Sequence, residues 1–207
     1  MTAYYRLIAV TDPSLHPKIS LPDACRAAVQ GGVTSVQIRM KHEGADKLLR
    51  ATEAVSRAVD VPVFVNDRAD VALAAGCMGV HFGADDFPPS ASSKLSLGKL
   101  SIGVSVGNES EANQALDYSA DYWSLGPCFE SKSKNDAGTP LSYGQIRDLI
   151  GLAPRGTGIV GIGGINEGNI EGLKALGFQG VAVISAVFGA RDIQKAARRL
   201  RDVIDTW

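Results

Sequence analysis

Long apolar runs are missing from this chain. No stretch approaches about 18 uninterrupted apolar residues, so no membrane-spanning helix is expected. An excess of charge is missing too. The 207 residues carry 21 Lys and Arg against 22 Asp and Glu, a formal net charge of −1. Non-specific attraction to nucleic acid or to an anionic membrane surface is therefore not implied. Cysteine is scarce. Cys25, Cys77 and Cys128 form no CxxC and leave an odd count, which suits reduced thiols in a cytosolic enzyme. His16, His42 and His81 have no metal-site spacing with them. The opening MTAYYRLIAVTD lacks the charged and long apolar regions of a secretory signal, so a cytoplasmic protein is expected. No Pro- or Ser-rich linker divides the chain, and a single domain over 1–207 is expected. There is no GxSxG, and local sequence suggests no Cys–His pair for nucleophilic catalysis.

What is present is a repeated unit. Val- and Ile-rich runs end in a small or charged residue, then a turn, then a helical stretch. The run ends are IAVTD at 8–12, VQIRMK at 36–41, FVNDR at 64–68, GVHFGADD at 79–86, IGVSVGN at 102–108, WSLGP at 123–127, VGIGGIN at 160–166 and AVISA at 182–186. Alternating strands and helices point to an α/β fold with parallel strands and crossover helices. Eight such units suit a closed (β/α)8 TIM barrel. The pattern predicts strands over 5–10, 33–38, 63–65, 79–82, 101–106, 122–125, 159–162 and 180–184. It predicts helices over about 21–30, 45–59, 69–75, 143–149, 167–176 and 192–205, one starting near 109, and a short one within 88–98. The stretch 126–142 is the longest polar loop.

In this barrel the active site lies at the C-terminal strand ends, so the run ends are candidate site residues. Gly163-Gly164 and Ile184-Ser185 follow the seventh and eighth strands, where the fold places a phosphate site, with a helix N-terminus adding its dipole. The bland alternative is a crowded turn with no ligand. Asn66-Asp67 and Asp85-Asp86 follow the neighbouring third and fourth strands. Carboxylates meeting there suit Mg²⁺, although each Asp could instead cap the next helix. Arg39 and Lys41 flank Met40 past the second strand and offer phosphate-binding cations, as does Lys134 in the Ser- and Lys-rich loop. Solvated charge is the alternative, preferred for Lys132. Gln37, Ser105, Ser131 and Ser133 are neutral hydrogen-bonding candidates. His81 reads as a barrel-layer or supporting residue, and Trp123 and Phe129 as packing. The run Arg198-Arg199-Leu200-Arg201 reads as a solvated helix face. Asp12, at a turn, is assigned no chemistry.

The segments GGVTSVQIRMK, FVNDRADVALAAGCMGVHFGADDFP, IGVSV, DYWSLGPCFESKSKNDAGTPL, GIGGIN and GVAVISA, in that order, resemble thiamine phosphate synthase. The likeness covers nearly the whole chain. It implies a transferase that joins hydroxymethylpyrimidine diphosphate to thiazole phosphate and releases diphosphate. It implies that Gln37, Arg39, Lys41, Asn66 and Lys134 bind the pyrimidine diphosphate. Asp67 and Asp86 would hold Mg²⁺, and Ser105 would hydrogen-bond the pyrimidine side. Ser131, Ser133, Gly164, Ile184 and Ser185 would hold the thiazole phosphate. Arg39, Lys41, Lys134 and Ser105 would be the catalytic set. Partners would be small phosphorylated substrates, with no nucleic acid or membrane, and a homo-oligomer is compatible with the chain. Two departures stand out: Glu130-Ser131-Lys132-Ser133-Lys134 replaces the family's Pro-Thr-x-Thr-Lys loop, and Gly83-Ala84-Asp85-Asp86 lacks its Gln. Two rivals remain: a thiazole tautomerase-like isomerase on the same barrel, and a catalytically silent phosphate-ligand binding or regulatory protein.

Overall fold

A computed structural model describes residues 4–41, 43–83, 86, 100–117, 119–130 and 138–207. Its strands are β1 Leu7–Val10, β2 Ser35–Ile38, β3 Val63–Asn66, β4 Gly79–Phe82, β5 Ser101–Val106, β6 Tyr122–Leu125, β7 Gly158–Ile162 and β8 Gly180–Val183. The strand order is sequential, every pairing is parallel, and β1 pairs with β8 to close the barrel. The closing register sets Leu7 opposite Val181 and Ala9 opposite Val183. Almost every strand position is buried, which is why the strands read as continuous apolar runs rather than alternating ones.

The helices are α1 Leu21–Gln30, α2 Ala45–Ser56, α3 Ala69–Ala74, α4 Glu109–Ala115, α5 Tyr143–Leu152, α6 Glu171–Lys174, α7 Ser185–Phe188 and α8 Ile193–Ile204. Side chains stop the orphan amides at several starts. Ser20 accepts from the Asp23 amide at α1, Asn108 from Glu111 at α4, and Asp192 from Lys195 at α8. Ser142 and Gln145 form a reciprocal capping box at α5.

Two apolar layers result. Ile8, Val10, Phe64, Tyr122, Val160 and Ala182 fill the barrel interior, with Tyr4 and Tyr5 packed against them. A larger layer, including Trp123, Val36 and Leu173, lies between strands and helices.

Differences from the sequence pattern have local causes. The helix expected over 167–176 shrinks to α6. Asn166 accepts from the Gly168 amide, and its own amide donates to the Asn169 side chain, so these turns compete with a helical start. The one-turn helix α7 and a 3-10 turn at Pro13–Leu15, capped by Asp12, were not anticipated. The short helix expected within 88–98 lies outside the described residues. The basic run on α8 is not simply solvated. Arg201, only 19% exposed, donates to the Gly32 carbonyl and pairs with Asp205, while Arg198 donates to the Gln30 carbonyl. These contacts fasten α8 to the end of α1 and reinforce closure.

The α1–α8 seam is tight at Gly31. A Cβ there would lie 2.4 Å from the Gln194 carbonyl oxygen and 2.5 Å from the Ala197 Cβ. Gly31→Leu should therefore destabilise the protein by about 1–3 kcal/mol through overpacking. Gly151, in α5, has open space around it, so Gly151→Ala should stabilise by about 0.5–1 kcal/mol. Urea denaturation of the two variants checks both signs.

Candidate active site

Two adjoining cavities open at the C-terminal rim of the barrel. The larger, about 410 Å³, is lined by Gly164 and Ser185 together with Ser105, Ile162 and Ile184. The smaller, about 200 Å³, is lined by Gln37, Arg39, Lys41, Asn66, Asp67 and Asp86. Ser105, Ile162 and Ile184 belong to both, so they form the seam between them. A broader hollow of about 610 Å³ lies between α1 and α8, away from the strand ends, and takes in none of the candidate residues.

The smaller cavity is built by neighbouring strands. Gln37 on β2 donates from Nε2 to Asn66 Oδ1 on β3 at 2.6 Å, so the two amides fix one another. Thr11, at the end of β1, holds the next turn. The Arg39 amide donates to its hydroxyl at 2.9 Å, and that hydroxyl lies 3.3 Å from the Arg39 carbonyl oxygen. Thr11 is fully buried, and sequence reasoning gave it no part. Its signal was its position in IAVTD, directly opposite the candidate cations.

Asp67 has φ 67°, the left-handed region that a non-glycine residue rarely adopts. Its amide donates to the His81 carbonyl at 2.8 Å, and the Arg68 amide reaches back to Asn66 at 2.9 Å. This tight turn carries a conformational cost of about 1–3 kcal/mol, and such strain tends to collect at functional sites. Asp67 is not a helix cap, because Arg68 holds the N-cap position of α3 and makes no side-chain capping bond. Asp86 accepts from the Gly83 amide at 2.6 Å. The two carboxyl groups meet. Burial, then a hydrogen bond and charge repulsion from Asp86, push the Asp67 carboxyl up to about 7, against weaker opposing effects from Asn66 and Arg39.

The donor set narrows what could bind there. Among the described residues no group of three or more His, Cys, Asp or Glu converges. Two crowded carboxylates facing Arg39 and Lys41 instead suit an ion that takes one or two carboxylates plus phosphate and water oxygens, as Mg²⁺ does.

The larger cavity is shaped by Gly163 and Gly164, at φ 92° and 65°. A Cβ on Gly164 would lie 2.3 Å from the Glu130 carbonyl oxygen, so only glycine lets the loop after β6 cross here. That loop continues the β6–β7 pairing beyond the strands. The Cys128 amide donates to the Ile162 carbonyl, Phe129 to Gly163, and Leu141 back to Pro127. Phe129 packs on the core, and Trp123 is fully buried. Helix α7 spans only four residues, so its dipole is small, and an anion here would rely on local amides and the Ser185 hydroxyl. Asn108, which closes the fifth run, also lines this cavity, as do Thr139 and Glu111, to which the sequence assigned no part. Ser131, Ser133 and Lys134, with Lys132, lie outside the described residues, as do Ala84 and Asp85.

Ser105 is held from behind. His81 Nε2 lies 3.0 Å from Ser105 Oγ, and His81 Nδ1 lies 3.0 Å from the Tyr122 hydroxyl. His81 is 5% exposed and stacks on the Tyr122 ring. The three cysteines are free, and burial pushes the thiols of Cys25 and Cys128 up to about 12, which makes them poor nucleophiles.

The metal-free protein should lose stability as pH rises from the ordinary carboxyl value of 3.8 through about 7. The folded Asp67 keeps its proton in that window and the unfolded one does not, so unfolding releases a proton and is favoured by higher pH. Asp67→Asn should flatten this dependence. Thermal melts in chelator across the pH range decide it, and an unchanged slope in the variant would refute the carboxyl contact.

Comparison with known proteins adds the following. The family described as Thiamine monophosphate synthase matches residues 7–187. A thiamine-phosphate synthase of Moorella thermoacetica is 43% identical over 182 residues, covering 86% of each chain. One from Chloroflexus aurantiacus is 39% identical over 203 residues, covering 97% of this chain and 93% of that one. The solved structure of a thiamine phosphate pyrophosphorylase from Pyrococcus furiosus superposes with a TM-score of 0.86 at 32% identity, covering 98% of this chain and 96% of that one.

Proposed function

The chain belongs to the thiamine monophosphate synthase family, and on that premise we propose that it joins hydroxymethylpyrimidine diphosphate to a thiazole phosphate, forming thiamine phosphate and releasing diphosphate. The observation that carries this reading is the pair of adjoining cavities. One sets two carboxylates against Arg39 and Lys41, and the other has Gly164 and Ser185 at its wall. Two substrates that each carry phosphate need two such places side by side.

Asp67 and Asp86 would hold Mg²⁺, which when bound supplies positive charge to the leaving diphosphate. Arg39 and Lys41, with Lys134 from the loop, bind the diphosphate oxygens. Gln37 and Asn66, fixed against each other, orient the pyrimidine. Gly164, Ile184 and Ser185, with Ser131 and Ser133, hold the thiazole phosphate. Ser105 sits at the seam, where the ring nitrogen of one substrate approaches the methylene carbon of the other. The C–O bond breaks with its electron pair leaving on diphosphate, and the thiazole nitrogen then bonds to the methylene. The aminopyrimidine delocalises the positive charge between these events, so a dissociative displacement is favoured. No side chain need act as nucleophile, and catalysis rests on placement and electrostatics.

The tautomerase-like reading requires an acid or base in the site. The groups on offer are His81 and a carboxylate. His81 is buried and engaged through both ring nitrogens, which speaks against that role. Asp67, paired with Asp86 opposite Arg39 and Lys41, better suits a metal and diphosphate. We place the reaction in the cytoplasm, with the whole chain acting as one catalytic domain on small phosphorylated molecules. No helix among the described residues is long and apolar enough to cross a membrane.

Asp67→Ala and Asp86→Ala should each lower turnover by roughly a hundredfold or more, the scale of removing a charged contact from a transition state. Release of diphosphate, measured with both substrates at several Mg²⁺ concentrations, tests this. Near-normal Mg²⁺-dependent rates in either variant would remove that residue from the metal site.

Ser185→Asp places a carboxylate at the thiazole phosphate. It should weaken binding of that ligand by tenfold or more, on the order of one charge repulsion, while leaving the pyrimidine diphosphate within about twofold. Separate titrations of the two ligands read this out. Equal losses for both would mean one shared anion site.

A further inference from the structure

Tyr122 lies at the inner face of β6, two strands from His81. In the registers of β4, β5 and β6, His81 pairs with Gly103, and Gly103 pairs with Tyr122. The residue between them must be glycine for the ring to pass. A Cβ on Gly103 would sit 2.1 Å from the Tyr122 Cζ and 2.4 Å from its hydroxyl oxygen. Across that gap the phenol meets His81 Nδ1, and His81 Nε2 meets Ser105 on the next interior position of β5.

The direction of these two hydrogen bonds follows from what each group can do. A phenol has one proton to give. Tyr122 is 1% exposed, and burial raises its hydroxyl well above the ordinary 10.0, so it stays protonated. Its hydrogen-bond partner among the described residues is His81 Nδ1. If the phenol merely accepted from Nδ1–H, its own buried proton would be left without a partner, which costs about 1–3 kcal/mol. The favourable arrangement has the phenol donating to Nδ1. Neutral imidazole then carries its proton on Nε2 and donates it to Ser105 Oγ. The serine oxygen is thereby occupied as an acceptor, and its own proton is directed elsewhere.

We propose that Tyr122 and His81 are positioning residues that fix the Ser105 hydroxyl as a hydrogen-bond donor aimed at the diphosphate oxygen that leaves. This deepens the synthase reading and rests on it. The chemistry of the reaction selects that oxygen. Positive charge grows on the aminopyrimidine as the C–O bond breaks, so a donor on a ring nitrogen would oppose the step. Negative charge grows on the leaving oxygen, so a donor there is worth most in the transition state. Ser105 borders both cavities, which is where that bond lies. The serine keeps its proton throughout; the electron pair of the broken bond leaves with diphosphate. An alternating donor chain from the barrel interior to the seam thus sets the polarity of one catalytic hydroxyl.

Nitrogen-15 NMR of histidine-labelled protein tests the polarity directly. The chain has three histidines, so the His81 signals are those lost in His81→Gln. In the wild type at about pH 8.5, well above the imidazole range, Nδ1 should be unprotonated and Nε2 protonated. Tyr122→Phe keeps the ring and removes the donor, so an Nδ1–H population should appear. In the same variant kcat should fall roughly tenfold, the worth of one neutral hydrogen bond, with both KM values within about twofold. Ser105→Ala should fall further, and the double variant Tyr122→Phe/Ser105→Ala should be no slower than Ser105→Ala, because the phenol acts only through the serine. A protonated Nδ1 in the wild type overturns the proposal, as do losses that multiply in the double variant. Failure of the synthase reading looks different: the wild type would release no diphosphate from the two substrates, and the NMR measurement would still decide the direction of the chain.

Discussion

Closure of the barrel through the β1–β8 pairing is the constraint on which the other features depend. Only a closed parallel sheet brings all eight C-terminal strand ends to one rim. Residues 11, 39, 67, 105, 164 and 185 then become neighbours, although they are spread along most of the chain. The closure is reinforced from outside, where Arg198 and Arg201 on α8 bond the carbonyls at the end of α1. It is also filled from inside. Tyr4, Tyr5, Phe64 and Tyr122 interlock, with the Tyr4 and Phe64 ring centroids 5.3 Å apart and those of Phe64 and Tyr122 6.1 Å apart.

The rim holds two features that cost local stability. Asp67 sits in a left-handed conformation, and its carboxyl is crowded against that of Asp86. Neither feature favours folding. The surrounding strands impose both, because Asp67 is tied to the β4 backbone and Asp86 to the Gly83 amide. On the proposed reading, a site that meets a diphosphate and a cation would be arranged before either arrives. That is the physical content of preorganisation.

Site and core are not separate layers here. Tyr122 belongs to the barrel packing by its ring, while its hydroxyl reaches through His81 to Ser105 at the wall of both rim cavities. The loop after β6 is similarly dual. Its described ends are held by strand-like hydrogen bonds from Cys128 and Phe129 to the β7 end and by the Leu141–Pro127 bond, and it crosses where Gly164 leaves room.

The strands were legible because buried parallel strands are continuous apolar runs between turns: β4, β5 and β6 have the bounds that the pattern alone predicts. The barrel class, the family and the charged rim residues followed from the same runs and from ordered motifs. The sequence could not show that Asn166 and Asn169 would cut α6 short, since that contest is between local side-chain hydrogen bonds and a helix of similar energy. Nor could it show that Arg201 packs on Gly32, that Thr11 braces Arg39, or that Tyr122 reaches His81 across Gly103. Those pairings join residues many positions apart, and their strength depends on register and on the space a missing Cβ leaves. Periodicity and residue type therefore determined which side chains face the barrel rim. Which of them touch, and so which protons and charges they share, was decided only when the eighth strand met the first.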